Sequence, residues 1–394
     1  MPSAWTFSGG LVWLMLMVRI FVFSCLISVA SMLRAQTTTA DLATAMSTRY
    51  APYANWERVV DVELLSETGK ERYGRSVVEI REQREEGAPP LAGLHLALDP
   101  GHIGGRWAYF EGRNFKINPN EHEVREGELV LEVAQRVRDQ LEELGAQVTL
   151  LREGLEPINS KSPFDYLDTV ANQVAPPEVW TNKALYDYFV SVRNRAVRLS
   201  VVVGEIAERA RRVNEAIQPD ALLSLHINAA PWPKEIDGER AQGLHLVESN
   251  HVHVLIFGCM SDDELCVQQQ QEQLAVKLLN GSGPDEHLLA TYIGEALQEA
   301  TRLPASKYRG ENAVLLDSNA PTVWARNLMM LRMVECPTVL LEPYVANSKS
   351  VYPRIQAALQ DRDLGRPLAE DDILIEYANA VVAGVLRTYG DSDG

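Results

Sequence analysis

The stretch LHLALDPGH (residues 94–102) decides how the rest of the chain reads. Leu94, Leu96, Ala97 and Leu98 make an apolar run of strand length, with none of the in–out alternation of a half-solvated strand. Such a run is expected to be buried on both faces, as strands of parallel sheets are. It stops abruptly at Asp99-Pro100-Gly101, residues that turn a chain sharply, and ends in the imidazole of His102. The same design recurs twice. ALLSLHINA (221–229) carries His226, and PTVLLEPYVANS (337–348) carries Glu342. In an open α/β sheet, catalytic groups gather beyond the carboxyl ends of the strands. Two imidazoles and a carboxylate delivered to one sheet edge suit a zinc hydrolase.

Outward from residue 102 the chain alternates strands and helices. A polar excursion spans 106–125. Val130, Ala134, Val137, Leu141 and Leu144 then recur at steps of four and three, one apolar stripe on a helix over 127–144. Gly145 stands where a helix end favours positive φ, and AQVTLLR (146–152) is the next strand. Strand, helix, strand in this order implies a right-handed parallel crossover. Residues 155–200 read as irregular, and a helix over 202–217 precedes the strand 221–227. Residues 231–320 read as an insertion, with strand-like GLHLVES (243–249) and VHVLIFG (252–258) and a helix over 286–301. The last core strand covers 338–342, and a helix over 371–388 closes the chain. The expected fold is one α/β domain over 91–394, a mostly parallel twisted sheet with helices on both faces. Residues 36–90 are expected to form a small irregular segment that ends in a linker at Pro89-Pro90.

Composition narrows the function classes. Apolar content of 46% and charged content of 23% are ordinary for a soluble globular domain. A net charge of −17 argues against a nucleic-acid partner, which rewards clustered Lys and Arg. Residues 11–33 are nearly all apolar, interrupted at Arg19. Read from Met17, Val-Arg gives a short basic start, IFVFSCLISVASML an apolar core, and Ala35 before Gln36 a cleavage point. The expectation is a signal peptide over 1–35 with its true start at Met17, the alternative being an uncleaved anchor. Either places the folded part outside the cytoplasm, periplasmic or secreted. Cys25 would leave with the leader. Cys259, Cys266 and Cys336 would remain, and a Cys259–Cys266 bridge and free buried thiols are equally open. No P-loop, nucleophile elbow or dinucleotide fingerprint occurs.

DPGH followed by Gly-Gly, a Glu opening the next helix (REGEL, Glu126), SLHINA, and VLLE followed by Asn347 resemble, in the same order, the zinc-dependent N-acetylmuramoyl-L-alanine amidases of bacterial cell walls. The resemblance covers roughly residues 93–390. The chain departs from it after His102, where it reads IGGRWAYFEGR, and after Glu342, where Pro343-Tyr344 replaces a frequent Thr-Gly pair. The resemblance implies zinc held by His102, Glu126 and His226, and peptidoglycan as substrate. It implies Glu342 as the group that takes a proton from water and passes it to the leaving amine. It names no activator protein.

The residues themselves argue with different force. A carboxylate at a helix start is ordinary, because the helix dipole favours it, so Glu126 is singled out by the resemblance, with Glu128 as its rival. A buried Glu such as Glu342 needs a partner or a role. His95, His251, His253 and His287 read as structural or surface residues, His245 as able to approach the cleft, and Arg209 and Asn214 as supports of the fold. Two other readings remain: a carboxypeptidase or deacylase on the same scaffold, and a non-catalytic wall-binding protein.

Overall fold

The apolar run that opens the sequence reading forms β1 (His95–Pro100), buried from Leu96 onward. In the computed structural model, which describes residues 38–68, 74–236 and 239–390, β1 is the second strand of a seven-stranded sheet. The others are β2 (Gln147–Leu150), β3 (Ala221–Leu225), β4 (Val252–Phe257), β5 (Val314–Leu315), β6 (Val323–Arg326) and β7 (Thr338–Pro343). The order is β2-β1-β3-β7-β4-β6-β5. The first four run parallel to one another. β4 is antiparallel to β7, β6 is parallel to β4, and β5 is antiparallel to β6. The sheet is therefore mixed but mostly parallel, as the apolar runs imply. The expected leader and its cleavage point lie outside the described residues.

Strand alternation sorts the apolar residues between two cores. Leu96, Leu98, Leu223, Val254, Ile256, Val339 and Leu341 face one of them. It is completed by helices α1 (Glu126–Glu143), α4 (Ser282–Thr301), α5 (Tyr352–Asp363) and α6 (Ile373–Tyr389). Ala97, Leu222, Leu255, Phe257 and Leu340 face the other way. There they meet Ala210 of α3 (Glu205–Arg212), the short helix Met329–Met333 and an N-terminal layer. Helices on both faces explain why these strands carry continuous apolar runs. Among the described residues no helix is long and apolar enough to cross a membrane.

Four segments differ from the sequence reading. Within 36–90 the described residues 38–68 do more than lead into a linker: Leu42, Met46, Tyr50 and Trp56 bury themselves against Leu255, Phe257 and Leu340. Arg49 fastens that layer by pairing with the fully buried Glu286 of α4 and donating to Phe257 O at 2.9 Å. Residues 231–320 are not peripheral, since they supply β4, β5 and α4 to the sheet and its cover. GLHLVES forms no regular strand. Only Val247 makes a bridge, to Ser348, because the segment lies beyond the sheet edge, pinned by Val247 N–H to Asn347 O at 3.0 Å. Finally, much of 155–200 is helical. α2 (Asn182–Arg198) runs through wider turns at Leu199–Gly204 into α3 and on through Val213–Ile217. Leu185, Tyr186 and Phe189 of α2 are exposed, lining an open apolar groove of about 910 Å³ with Phe164. Apolar residues on the outer face hide the helical period from the sequence.

Candidate active site and metal centre

Three strand ends and one helix start converge at one edge of the sheet. β1 leads to His102, β3 to His226 immediately after Leu225, β7 carries Glu342, and α1 begins at Glu126. His102 adopts φ 57°, left-handed backbone that a non-glycine residue holds only where its surroundings dictate it. The surroundings here centre on Arg209. Its buried guanidinium donates to Asp99 Oδ1 at 2.8 Å, Pro100 O at 2.9 Å and His102 O at 2.8 Å. Glu205 accepts from it at 3.0 Å, and Ser224 Oγ donates to Asp99 Oδ2 at 2.7 Å. Burial opposes ionisation of Asp99, but Arg209 and Ser224 outweigh it and hold the carboxyl below its usual range. The loop is thus tied at three successive points by one cation, so Arg209 supports the site as well as the fold.

Gly101 serves a different purpose from the one its place in a turn suggests. A Cβ there would lie 2.3 Å from Cε1, 2.5 Å from Nε2 and 2.6 Å from Nδ1 of His226. The glycine is required because the second imidazole lies against its backbone, while the positive φ falls on the next residue. Gly127 plays the same part for the helix: a Cβ there would meet Gly104 N at 2.5 Å, so the first turn of α1 can rest on the His102 loop.

That contact brings the donors together. His102 Nε2 is 3.3 Å from Glu126 Oε2, and His226 Nδ1 is 3.0 Å from Glu126 Oε1. The two rings stand edge to face with centroids 5.0 Å apart, and one donor atom from each of the three residues lies within 4.8 Å of the others. Four-coordinate zinc with bonds of about 2.0–2.1 Å spaces its ligands by about 3.3 Å. Two imidazoles and a carboxylate are the donor types such an ion takes, and here they lie within that 4.8 Å bound, His102 and His226 each approaching a different oxygen of Glu126. Behind His102, Nδ1 meets Glu111 Oε1 at 3.2 Å, and Glu111 Oε2 accepts from Ile103 N–H at 2.9 Å. A carboxylate behind an imidazole fixes the ring's orientation and tautomer. Burial pushes Glu126 up, but the His102 and His226 rings outweigh it and bring its carboxyl down to about 2. Burial draws His226 down, and the bond and field of Glu126 leave it above the ordinary imidazole value.

Glu128 takes no part in this cluster. It accepts from Arg125 Nη1 at 3.0 Å and Gly105 N–H at 3.2 Å, on the neighbouring loop. Asn214 holds the β7 approach, donating to Met333 O at 2.9 Å and accepting from Glu335 N–H at 3.0 Å. Buried Asn347 grips Ala230 through both backbone groups at 2.9 Å, fixing the chain beyond His226. Cys259, Cys266 and Cys336 are free thiols.

Glu342 lines the same cavity of about 420 Å³ as His102, Glu111 and His226, and its side chain keeps 24% exposure, enough to reach a ligand. Opposite it in the register of β4 stands His253, whose Nδ1 is 3.5 Å from Glu342 Oε2. Burial opposes ionisation of Glu342, and His253 and then His226 outweigh it, so it is a carboxylate at neutral pH. His251 stacks on His253 at 4.6 Å and Tyr308 tilts over it at 5.2 Å. His251 and His253 thus belong to the site, contrary to their reading as structural or surface residues. They share one strand face two residues apart at the amino end of β4, and only an antiparallel strand brings that end to the catalytic edge. Two further cavities flank the centre. One of about 310 Å³ adjoins Glu126 and is walled by Phe115 and Trp232, whose rings meet edge to face at 5.2 Å. The other, about 1010 Å³, adjoins Glu342.

The sequence profile described as N-acetylmuramoyl-L-alanine amidase, Amidase_3, matches residues 96–365. The chain belongs to that amidase family. Among solved structures, Ami1 from Mycobacterium smegmatis is similar to this amidase at 17% identity, over 76% of this chain and 97% of that one, with a TM-score of 0.40. AmiC2 of Nostoc punctiforme shows 17% identity over 75% and 97%, with a TM-score of 0.37. The CwlD amidase from Clostridioides difficile, solved in complex with the GerS lipoprotein, shows 13% identity over 75% and 98%, with a TM-score of 0.38. No curated protein matches the chain. The amidase is a cell-wall hydrolase with a mostly parallel α/β catalytic sheet, and a His-Glu-His cluster at its edge.

Proposed function

We propose that this amidase cleaves the amide between the lactyl group of N-acetylmuramic acid and L-alanine of the stem peptide, with zinc held by His102, Glu126 and His226 and with Glu342 carrying the protons. The observation that supports it best is the position of Glu342, ionised and part-exposed in the cavity that also presents both imidazoles. When bound, zinc supplies Lewis-acid polarisation of the amide carbonyl and lowers the pKa of water to about 7.

The chain's own residues do the rest. Glu342 accepts a proton from the attacking water, whose oxygen bonds to the carbonyl carbon. The C–N bond then breaks and Glu342 returns the proton to the departing L-alanine nitrogen, the exchange expected of one group serving first as base and then as acid. His253 at 3.5 Å steadies the carboxylate. Glu111 orients His102, and Arg209 holds the loop that carries it. Activity on the wall places the enzyme in the periplasm or outside the cell, as the apolar stretch over 11–33 implies.

Digestion of purified peptidoglycan with the zinc-loaded protein tests the reading. Released stem peptides should carry a free L-alanine amine, and a chelator should abolish their release. Peptides shortened from the carboxyl end, or removal of acetyl groups alone, would identify a carboxypeptidase or a deacylase instead.

A further inference from the structure

The large cavity beside Glu342 has a charge that the rest of the chain does not. The protein as a whole carries −17. Yet Lys307, Arg309 and Arg326 line this cavity together with His251, His253 and Tyr308, and Glu342 is the only carboxylate along it among the described residues. Lys307 and Arg309 are exposed, on the chain following Leu303-Pro304, and Arg326 ends β6. Arg326 lies over the Tyr308 ring at 5.6 Å and its Nη1 is 3.5 Å from Tyr308 Oη. Tyr308 in turn packs on His253. His253 is itself buried, and its Nε2 has no hydrogen-bond partner among the described residues. One run of aromatic contacts thus joins the carboxylate that handles the protons to a guanidinium at the cavity wall.

The chemistry fixes which half of the substrate belongs here. The group that returns a proton to the leaving nitrogen must stand on the amine side of the scissile bond. In this reaction the amine side is the stem peptide. The opposite cavity, at Glu126, offers Phe115 and Trp232 and a single cation, Arg113. We infer that the 1010 Å³ cavity is the stem-peptide subsite, and that Lys307, Arg309 and Arg326 select a peptide carrying a free carboxylate next to its L-alanine. This rests on the proposed amidase reading. Arg and Lys suit the task because they pair with carboxylates through charge-assisted hydrogen bonds, Arg in bidentate fashion.

The experiment measures binding and turnover separately, on the zinc-loaded protein. The binding probe is the dipeptide L-alanyl-D-glutamate against its diamide, titrated calorimetrically. The turnover probe is N-acetylmuramoyl-L-alanyl-D-isoglutamate against its isoglutamine counterpart. Wild type should bind the acidic dipeptide at least about tenfold more tightly than the diamide, and should show a lower KM for the isoglutamate substrate at similar kcat. Arg326→Gln and Lys307→Ala should each reduce that preference several-fold, and combined with Arg309→Gln they should erase it. Equal binding of both dipeptides by wild type would overturn the subsite, as would a preference that survives the triple variant. The outcomes stay separable: carboxylate-selective binding with neither substrate cleaved at the L-alanine bond would refute the amidase reading while supporting the anionic subsite.

Discussion

Replacing Gly101 by Ala tests whether the metal centre depends on the close packing of His226 against the DPGH loop. The added Cβ would sit 2.3–2.6 Å from three atoms of the imidazole. Carbon contacts are comfortable only near 3.5–4.0 Å, so the ring must retreat by about 1 Å or more. A zinc ligand tolerates displacement of about 0.2 Å, and loss of a supporting contact alone costs about 10- to 100-fold in affinity. Moving the ligand itself should therefore cost at least about 100-fold, or about 2.7 kcal/mol of binding. Folding should suffer by about 1–3 kcal/mol through overpacking. Gly154→Ala is the control, because a Cβ there meets nothing within 4 Å. Zinc affinity is read by competition with a chromogenic chelator, and stability by urea unfolding of the metal-free protein. A Gly101→Ala protein that folds and binds zinc within about threefold of wild type would refute the packing argument.

Other expectations follow from the same geometry. Glu126→Ala should weaken zinc binding strongly, whereas Glu128→Ala should cost at most about 1 kcal/mol of stability through the helix dipole and its arginine contacts; a larger zinc loss in Glu128→Ala would reverse their roles. Asp99 is held below its unfolded value, so its contribution to stability is complete above about pH 4 and is lost as pH falls through the lower folded value. Urea midpoints of metal-free wild type should thus fall more steeply below pH 4 than those of Asp99→Asn, and parallel curves would count against the Arg209 clamp. Burial pushes the Cys259 thiol up to about 11 and Cys336 to about 12, while Cys266 is exposed. A thiol reagent at neutral pH should label Cys266 alone in the native protein lacking residues 1–35, as read by peptide mass spectrometry; rapid labelling of Cys336 would contradict its burial.

The parallel half of the sheet was legible because burial on both faces leaves an unmistakable mark, an apolar run without alternation that ends at a turn. Val130, Ala134 and Val137 fixed the phase of α1, and with it the inward direction of Glu126 over Glu128. The antiparallel half was not legible in the same way. VHVLIFG reads as a strand, but nothing local says that it runs backward beside β7, and that direction alone carries His251 and His253 to the catalytic edge. The N-terminal layer escaped notice because Leu42, Met46, Tyr50 and Trp56 are spread through a polar segment and find their partners some 200 positions away, on Leu255 and Phe257. Glu111 is one more acid in a polar loop, and only the fold sets it behind His102. Tyr344 takes φ 66° where a glycine would be at ease, and is held there by its hydroxyl donating to Glu376 at 2.8 Å, a compensation no local pattern reveals.

The central claim is a division of labour: His102, Glu126 and His226 hold the metal, and Glu342 moves the protons. Zinc content and turnover measured side by side in Glu342→Gln and His226→Ala test it most directly. Glu342→Gln should retain about one zinc per chain and lose about two to four orders of magnitude in turnover, the usual worth of general acid–base catalysis, while His226→Ala should lose the metal and the activity together. Turnover of Glu342→Gln within a few-fold of wild type, or full zinc occupancy in His226→Ala, would contradict it.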